Sequence, residues 1–373
     1  MGVQALSAPP QPLRPFERAR RMTATQIDSF DPHPEFRGFR LRTPELHVTI
    51  IEHGGTVTSV EAPDRDGTFA NVLLGCPTLD GYLGRHPHFN CLVGRYANRI
   101  AGARFELDGE VHDLDANIPP HQLHGGRRGF GVRHWQGSVE DRAVVLRLTS
   151  KADDGGYPGT LEVTARYSLA GNRLALDFEA TTDASTPVSL TSHGYFNLSG
   201  TPGSTVEDHE VAIAASRYLP VSEELLQLGE LQPVNDTPFD LRQAVALGER
   251  LFLRDPQLLR AGGFDHTFVI DGTGMREAAH VHHRASGRSL TIHTDQPGVQ
   301  LYTGNTLDEF SAGGVPYTRH GALCLETQQF PDAPNHAAYL RHCPHAILRP
   351  GDVWRASTTF TFGTGGGQRP QPR

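Results

Sequence analysis

Two ionisable side chains in this 373-residue sequence have the types and surroundings needed to move protons. His193 follows the apolar run 188–190 and lies in the segment Thr-Ser-His-Gly-Tyr-Phe-Asn-Leu, residues 191–198. Glu326 comes directly after a second apolar run, residues 322–325. A histidine and a carboxylate at the ends of separate buried strands can donate one proton while accepting another. We therefore predict that the chemistry takes place at this pair.

Four further segments place a polar side chain beside glycines or aromatic residues. They are residues 94–100, 121–126, 262–266 and 297–305. Arginine donates two hydrogen bonds from one fork, aspartate accepts from two hydroxyls, and glutamine can do one of each. Vicinal sugar hydroxyls need that combination, with an aromatic ring such as Tyr195 or Phe264 beneath the sugar. Taken singly, each segment also fits a purely structural role in a turn or cap.

The twenty histidines raise the question of a metal site. The densest cluster is His280, His282 and His283, followed by His86 and His88. Strand spacing puts the first two on one face, where they could supply two ligands. Because no acidic or cysteine partner stands nearby in the sequence, we favour a solvated strand and predict no metal. Glycine-rich nucleotide loops, a Walker lysine loop and HExxH are also missing from the sequence, so we predict no cofactor.

The sequence predicts that the elements positioning these residues are β-strands. Alternating apolar residues over 161–169 and 174–180 predict one hairpin, and an Asp-Gly turn at 108–109 predicts another. Helical signal is sparse, mainly over 241–259, where Pro256 interrupts it. With 40 glycines and 27 prolines, the sequence favours an all-β fold, a large antiparallel β-sandwich with few short helices. We assign residues 35–362 to this domain, 1–34 to a disordered leader and 363–373 to a disordered tail.

Charge and composition narrow the classes of partner and compartment. The net charge is −8, and no basic patch is interleaved with aromatic residues, so we predict no nucleic-acid partner. No apolar run approaches the roughly 18 residues of a membrane span, and we predict no membrane association. Four cysteines without a CxxC pair favour a reducing compartment, so we expect a cytoplasmic protein, either a monomer or a weak homodimer.

Taken together, the motifs closely resemble those of the aldose 1-epimerase (galactose mutarotase) family, in that family's order. The matching segments are residues 94–100, 123–126 with 129–130, 154–159, 190–198, 218–221, 237–240, 263–266, 297–305 and 325–335. The resemblance covers roughly residues 40–362. It implies a galactose mutarotase-like β-sandwich and the cofactor-free interconversion of α and β anomers of free aldoses such as galactose and glucose.

The resemblance also implies a role for particular residues. Glu326 matches the family's general base and His193 its general acid, while the substrate-binding set is matched by Asn98, Arg99, His124, Tyr195, Asp265 and Gln300. Two departures, Gly194 and Gln329, bear on substrate preference. Apolar neighbours are expected to raise the pKa of Glu326, and a charged His193 could be held by the same field. Whether His124 shares the acid role stays open.

Two alternatives remain from the sequence. An enzyme acting on a hexose 6-phosphate would use the arginines that follow His124 to hold the phosphate, namely Arg127, Arg128 and Arg133. We favour a solvated loop for these three, because such charge clusters usually lie on surfaces. A non-catalytic sugar-binding sandwich would need the binding set alone, so the presence of both His193 and Glu326 argues against it.

Overall fold

Antiparallel strands dominate this computed structural model, which describes residues 25–312 and 314–365. The predicted all-β class is confirmed. The largest sheet has nine strands, in the spatial order Gln136–Glu140, Ala143–Ser150, Leu161–Ala170, Arg173–Thr182, Trp354–Thr364, Arg288–Thr294, Arg276–His283, His209–Ile213 and Val245–Ala246. A six-stranded sheet follows the order Tyr195–Phe196, Leu323–Gln328, Gly298–Tyr302, Asp265–Ile270, Ala215–Tyr218 and Gln232–Pro233.

Smaller elements complete the fold. A five-stranded sheet contains Gln26–His33, Phe36–Arg42, His47–Ile51, Val57–Pro63 and Phe69–Asn71. Two-stranded pairs join Arg99–Ile100 to Gln122–Leu123, Leu92–Val93 to Thr191–Ser192, Thr186–Pro187 to Ile347–Leu348, Arg104–Leu107 to Glu110–Asp113, and Ser311–Ala312 to Val315–Pro316. The short α-helices are Gly248–Leu251, Pro256–Ala261 and Ala337–Leu340. Single 3₁₀ turns occupy Leu79–Leu83, Ala101–Ala103, Phe130–Val132, Asp154–Gly156, Leu307–Glu309 and Ala333–Asn335.

The core lies between the nine-stranded and six-stranded sheets, and its pattern decides which way Glu326 faces. Alternate residues of both hairpin strands, such as Val163 and Leu176, are buried in the same cluster as Leu325. The Thr327 hydroxyl lies 2.6 Å from that of Thr358 in the nine-stranded sheet. Successive strand residues point to opposite faces, so the face that carries Leu325 and Thr327 meets the core. Glu326 therefore points to the other face of its sheet.

The predicted leader boundary is wrong for its last residues. Gln26–His33, assigned to a disordered leader, forms a strand that pairs with Phe36–Arg42. Its sequence alternates weakly, and tertiary contacts supply what the pattern lacks, since the Arg40 guanidinium lies 3.6 Å from the Phe30 ring centroid. Similarly, the strand Trp354–Thr364 continues into the predicted tail. Residues 1–24 of the predicted leader and 366–373 of the predicted tail lie outside the described residues.

The sparse helical signal of the sequence is resolved into two separate helices. Pro256 begins the second of them, Pro256–Ala261, and the Asp255 side chain accepts hydrogen bonds from the backbone N–H groups of Gln257 and Leu258. This is the standard N-terminal cap followed by proline, because proline lacks the N–H that the first helical turn leaves unbonded. Within residues 25–312 and 314–365, every helix is too short and too polar to cross a membrane.

Candidate active site

Strand register in the six-stranded sheet brings distant parts of the sequence together. Gln300 lies directly opposite Glu326, Asp265 lies opposite Tyr302, and Tyr195 lies opposite Cys324. Residues as far apart in sequence as 195 and 326 thus share one sheet. Glu326 sits in the middle of Leu323–Gln328, whereas the sequence analysis placed it at a strand end. The strand continues past the apolar run because Thr327 and Gln328 keep the pairing with the neighbouring strand.

His193 reaches the carboxylate from a separate backbone segment. Its N–H donates to the Cys91 carbonyl at 2.9 Å, and its own carbonyl accepts from the Asn90 N–H at 3.1 Å. His193 Nε2 lies 3.7 Å from Glu326 Oε1. That separation exceeds hydrogen-bond length, so the two groups face one another without being bonded. The second carboxylate oxygen, Glu326 Oε2, is buried and has no hydrogen-bond partner among the described residues.

Burial shifts the pKa values of Glu326 and His193 in opposite directions. It raises the pKa of Glu326 well above its ordinary value, the Asp265 carboxylate raises it further, and Arg99 opposes them. Burial lowers the pKa of His193 to about 3, and the His88 ring adds to that effect. Removal from water disfavours the charged form of each group. The expected rise in the pKa of Glu326 is confirmed, but the expectation of a charged His193 is wrong, because desolvation by burial favours the neutral ring.

Asn98 and His124 fix each other through their backbones. The His124 N–H donates to the Asn98 carbonyl at 3.0 Å, and the Asn98 N–H donates to His124 Nδ1 at 3.2 Å. Both residues have left-handed backbones, with φ of 65° and 53°. Burial holds the pKa of His124 well below its usual range, so the ring is neutral. Since Nδ1 accepts a hydrogen bond, the single ring proton is on Nε2, and His124 is a hydrogen-bond donor there.

The other predicted binding residues form a connected group. Arg99 Nη1 lies 3.5 Å from Asp265 Oδ2, and Gln300 Nε2 donates to Asp265 Oδ1 at 2.6 Å. Gln300 also accepts from the Thr267 hydroxyl. Arg99 and Asp265 line the cavity at this site, whereas Gln300 lies behind them. The arrangement gives Gln300 the role of orienting Asp265, which the sequence did not distinguish from direct contact.

Of the two aromatic candidates, the structure brings only one to the site. The Tyr195 ring stacks on His193 with centroids 4.9 Å apart, and its hydroxyl donates to the Pro87 carbonyl at 2.7 Å. Phe264 is fully buried in the main core. Its side chain does not line the cavity, and its backbone N–H donates to the Thr303 hydroxyl at 3.0 Å.

These residues surround one cavity of about 430 Å³, within the range of small-molecule sites. Its walls include all of the predicted site residues except Gln300, namely Asn98, Arg99, His124, His193, Tyr195, Asp265 and Glu326. The sequence analysis missed His88, which had been grouped with the metal candidates. Its ring centroid lies 4.8 Å from that of His124 and 6.1 Å from that of His193. The sequence could have indicated His88 as a site residue, because it lies only a few residues before the segment 94–100.

Among the residues that the structure describes, two groups of ligand-type side chains lie close enough to hold a metal ion. In the first, His124, His193 and Glu326, the Nε2 of His124 carries its proton and so offers no lone pair. In the second, the Asp208 carboxylate lies between His209 and His283, whose outer nitrogens accept from the backbone N–H groups of Leu198 and Ser286. The facing nitrogens are therefore donors to the carboxylate. Neither donor set fits a metal.

In the sequence, the histidine cluster at residues 280–283 has no acidic residue nearby. In the structure, Asp208 and Glu210 lie next to it. His282 Nδ1 lies 3.1 Å from Glu210 Oε2, and Asp208 contacts His283.

The three arginines considered for a phosphate are paired elsewhere, because Arg127 contacts Asp115 and both Arg128 and Arg133 contact Asp154. None of the three lines the 430 Å³ cavity. A larger cavity of about 720 Å³, near Arg276 and His342, contains none of the predicted site residues.

Sequence comparison identifies relatives over most of the chain. A family model described as aldose 1-epimerase matches residues 38–361. Galactose mutarotase from Rattus norvegicus is 44% identical over 327 residues, covering 87% of this chain and 93% of that protein. Aldose 1-epimerase from Escherichia coli K12 is 37% identical over 338 residues, covering 88% and 96%.

Solved structures agree with the sequence relatives. An aldose epimerase homologue from C. elegans has a TM-score of 0.79 and 27% identity, covering 92% of this chain and 100% of that chain. Galactose 1-epimerase from Lactobacillus acidophilus NCFM has a TM-score of 0.79 and 25% identity, with the same coverages. Fold, site and relatives together define an enzyme of the isomerase class, a carbohydrate epimerase. The chain belongs to the aldose 1-epimerase family.

Proposed function

We propose that this enzyme interconverts the α and β anomers of free aldoses such as galactose and glucose. The observation that carries the proposal is the unbonded, buried pair His193 and Glu326, 3.7 Å apart, on the wall of a cavity that also presents hydroxyl ligands. Anomers interconvert when the hemiacetal opens, the C1–C2 bond turns and the C5 hydroxyl closes on the other face of the aldehyde. The reaction needs one proton removed from the C1 hydroxyl and one delivered to the ring oxygen.

In ring opening, Glu326 takes the proton of the C1 hydroxyl and His193 gives a proton to the ring oxygen, and closure reverses both transfers. The pair then passes from carboxylate and imidazolium to carboxylic acid and neutral imidazole. Burial favours the second state, since it raises the pKa of Glu326 and lowers that of His193. A base of raised pKa and an acid of lowered pKa each transfer their proton in the favourable direction. In the resting enzyme the same shifts put the proton of the pair on Glu326, so this proton must pass to His193, 3.7 Å away, before the ring opens.

The remaining site residues hold the sugar in register with this pair. Asp265 and Arg99 offer a carboxylate and a guanidinium side by side, which suits two neighbouring hydroxyls. His124 donates from Nε2 and supports the ring oxygen beside His193. A sugar ring can pack near Tyr195. This division of roles assigns proton transfer to His193 and Glu326, and binding to Asn98, Arg99, His124, Tyr195 and Asp265, with Gln300 acting through Asp265.

The alternatives receive less support. A hexose 6-phosphate substrate needs a cationic phosphate site, and the arginines proposed for it are already paired with Asp115 and Asp154 away from the cavity. A non-catalytic sugar-binding protein has no need of a buried carboxylate with an unpartnered oxygen, which costs folding free energy. Both observations favour an enzyme that acts on the free sugar.

We also propose a cytoplasmic enzyme of hexose metabolism, a monomer or weak homodimer, with one catalytic domain that begins with the strand Gln26–His33 and includes the strand Trp354–Thr364. All four cysteines are free, and three of them are buried, which suits a reducing compartment.

The deciding experiment follows the optical rotation of freshly dissolved α-D-galactose and α-D-glucose with and without the enzyme. We expect faster approach to the same final rotation with no added cofactor. The variant H193N keeps a polar side chain but removes the acid, so kcat should fall by about 10²–10⁴ while the protein stays folded by circular dichroism. A wild-type protein without effect on either sugar would refute the proposed function and favour a sugar-binding module.

A further inference from the structure

His88 lies in the active-site cavity, and the proton transfers described above do not use it. Its ring lines the cavity beside those of His124 and His193, with centroids 4.8 Å and 6.1 Å away. Burial lowers the pKa of His88 to about 4, so the ring is neutral and can both donate and accept a hydrogen bond.

The backbone around His88 is built to hold this ring in place. Both His88 and Asn90 have left-handed backbones, with φ of 58° and 56°, which non-glycine residues adopt at a cost. The His88 carbonyl accepts from the Cys91 N–H, and the Asn90 N–H donates to the carbonyl of His193. The preceding carbonyl, that of Pro87, accepts from the Tyr195 hydroxyl at 2.7 Å. His88 is therefore tied to the segment that carries the catalytic histidine.

The ring nitrogens of His88 differ from those of its neighbour His86. His86 Nδ1 accepts from the Phe89 N–H at 3.0 Å, and its Nε2 lies 3.2 Å from the Tyr82 carbonyl, so both nitrogens are used within the loop. Neither ring nitrogen of His88 has a hydrogen-bond partner among the residues that the structure describes. A neutral imidazole held at a cavity wall with both nitrogens unbonded is available to a ligand hydroxyl.

The order of atoms around a pyranose ring indicates which hydroxyl His88 meets. In the proposed function Glu326 acts on the C1 hydroxyl and His193 on the ring oxygen. From C1 the ring leads to C2, and from the ring oxygen it leads to C5, which carries the C6 hydroxymethyl group. Asp265 lies on the Glu326 side, because it is bonded to Gln300, the residue directly opposite Glu326. We place His88 at the ring-oxygen end of the sugar, because its ring neighbours those of His193 and His124.

We infer that His88 binds the C6 hydroxyl of a hexopyranose and makes the enzyme prefer hexoses that carry this hydroxyl. The inference rests on the proposed function, because the positions of C1 and the ring oxygen orient the sugar. The inference narrows the substrate class, because the acid–base pair alone would act on any aldose. A pentopyranose such as L-arabinose and a 6-deoxyhexose both lack the group that His88 would bind, and they should be poorer substrates for the same reason.

The test compares D-galactose with 6-deoxy-D-galactose in wild type, H88L and H88N, by NMR exchange of the anomers. Leucine has similar bulk without hydrogen-bonding groups, and asparagine both suits a left-handed backbone and supplies an amide. We expect wild type to favour galactose by about 2- to 10-fold in kcat/KM, as one neutral hydrogen bond allows. H88L should lose that preference by slowing galactose alone, and H88N should keep most of it. L-Arabinose should behave like the 6-deoxy sugar.

Three results would overturn the inference. Equal losses on both sugars in H88L, with unchanged thermal unfolding, would make His88 a structural ring. A wild-type enzyme that treats the two sugars alike would remove the C6 contact. A wild type inactive on every sugar would refute the proposed function itself and this inference with it, a result distinct from the first two.

Discussion

Glu326→Gln should separate catalysis from folding, because the same carboxyl group helps one and opposes the other. The side chain is 2% exposed, and its Oε2 has no hydrogen-bond partner among the described residues. Glutamine has nearly the same shape and volume, so the substitution leaves no cavity. It removes the carboxylate that we propose takes the C1 proton. We expect kcat to fall by about 10²–10⁴ with a modest change in KM.

The same substitution should stabilise the fold at neutral and alkaline pH. Burial raises the pKa of Glu326 well above 4.5, so the folded protein holds this proton more tightly than the unfolded chain does. Below about pH 4.5 the carboxyl is protonated in both states and makes no difference. As pH rises, the unfolded chain ionises first, and wild type loses about 1.4 kcal/mol for each unit of pKa elevation until the folded pKa is reached. Glutamine does not titrate and escapes this loss.

Both effects can be measured on one preparation of each protein. Anomer exchange by NMR gives kcat and KM, and thermal unfolding at pH 4 and pH 8 gives the stability difference. E326Q should match wild type at pH 4 and exceed it at pH 8. A folded E326Q with near wild-type kcat would refute the role of Glu326 as base. A variant less stable than wild type at pH 8 would show that the carboxylate is favourably solvated or paired, contrary to the burial argument.

Three more predictions follow from contacts around the site. Asp265→Asn and Gln300→Ala should act mainly by raising KM. Because the Gln300 side chain is hydrogen-bonded to Asp265, the double variant should lose less binding free energy than the sum of the two single losses, as measured by saturation kinetics. Exhaustive treatment with EDTA should leave full activity, because His124 Nε2 carries a proton; loss of activity restored by a divalent ion would contradict this tautomer. Glucose 6-phosphate should be a poorer substrate than glucose. Replacing Arg127, Arg128 and Arg133 together by alanine should change kcat/KM for glucose less than two-fold, because these side chains are paired with Asp115 and Asp154. A strong preference for the phosphate ester would contradict the proposal that the free sugar is the substrate.

Local patterns predicted the strands well. The hairpin Leu161–Ala170 with Arg173–Thr182 follows directly from alternating apolar residues, and the turn at Asp108 and Gly109 has φ of 54° and 85°, as an Asp-Gly hairpin turn requires. In both cases the signal is contained in a few adjacent residues. The edge strand Gln26–His33 escaped prediction because its pairing partner, rather than its own sequence, makes it a strand.

Which residues lie together around the cavity was largely predictable from the sequence, and their individual contacts were less so. Family motifs identified Glu326 and His193, and the structure brings them within 3.7 Å. Which nitrogen of His124 carries the proton depends on the Asn98 backbone, and whether Gln300 touches the cavity depends on the Asp265 side chain. His88 was missed for the same reason. Such distinctions arise from three-dimensional contacts that spacing along one chain does not encode.

The position of Trp354–Thr364 has a consequence for how the protein is made. This late strand lies between Arg173–Thr182 and Arg288–Thr294, so it joins the early and late halves of the nine-stranded sheet. Both of these partners, and every other strand of the sheet, are synthesised before it. Until then, two unfinished sheet edges stay open, each able to pair with another nascent chain. Until Trp354–Thr364 emerges, the two parts of the nine-stranded sheet cannot join, and their exposed edges remain able to aggregate.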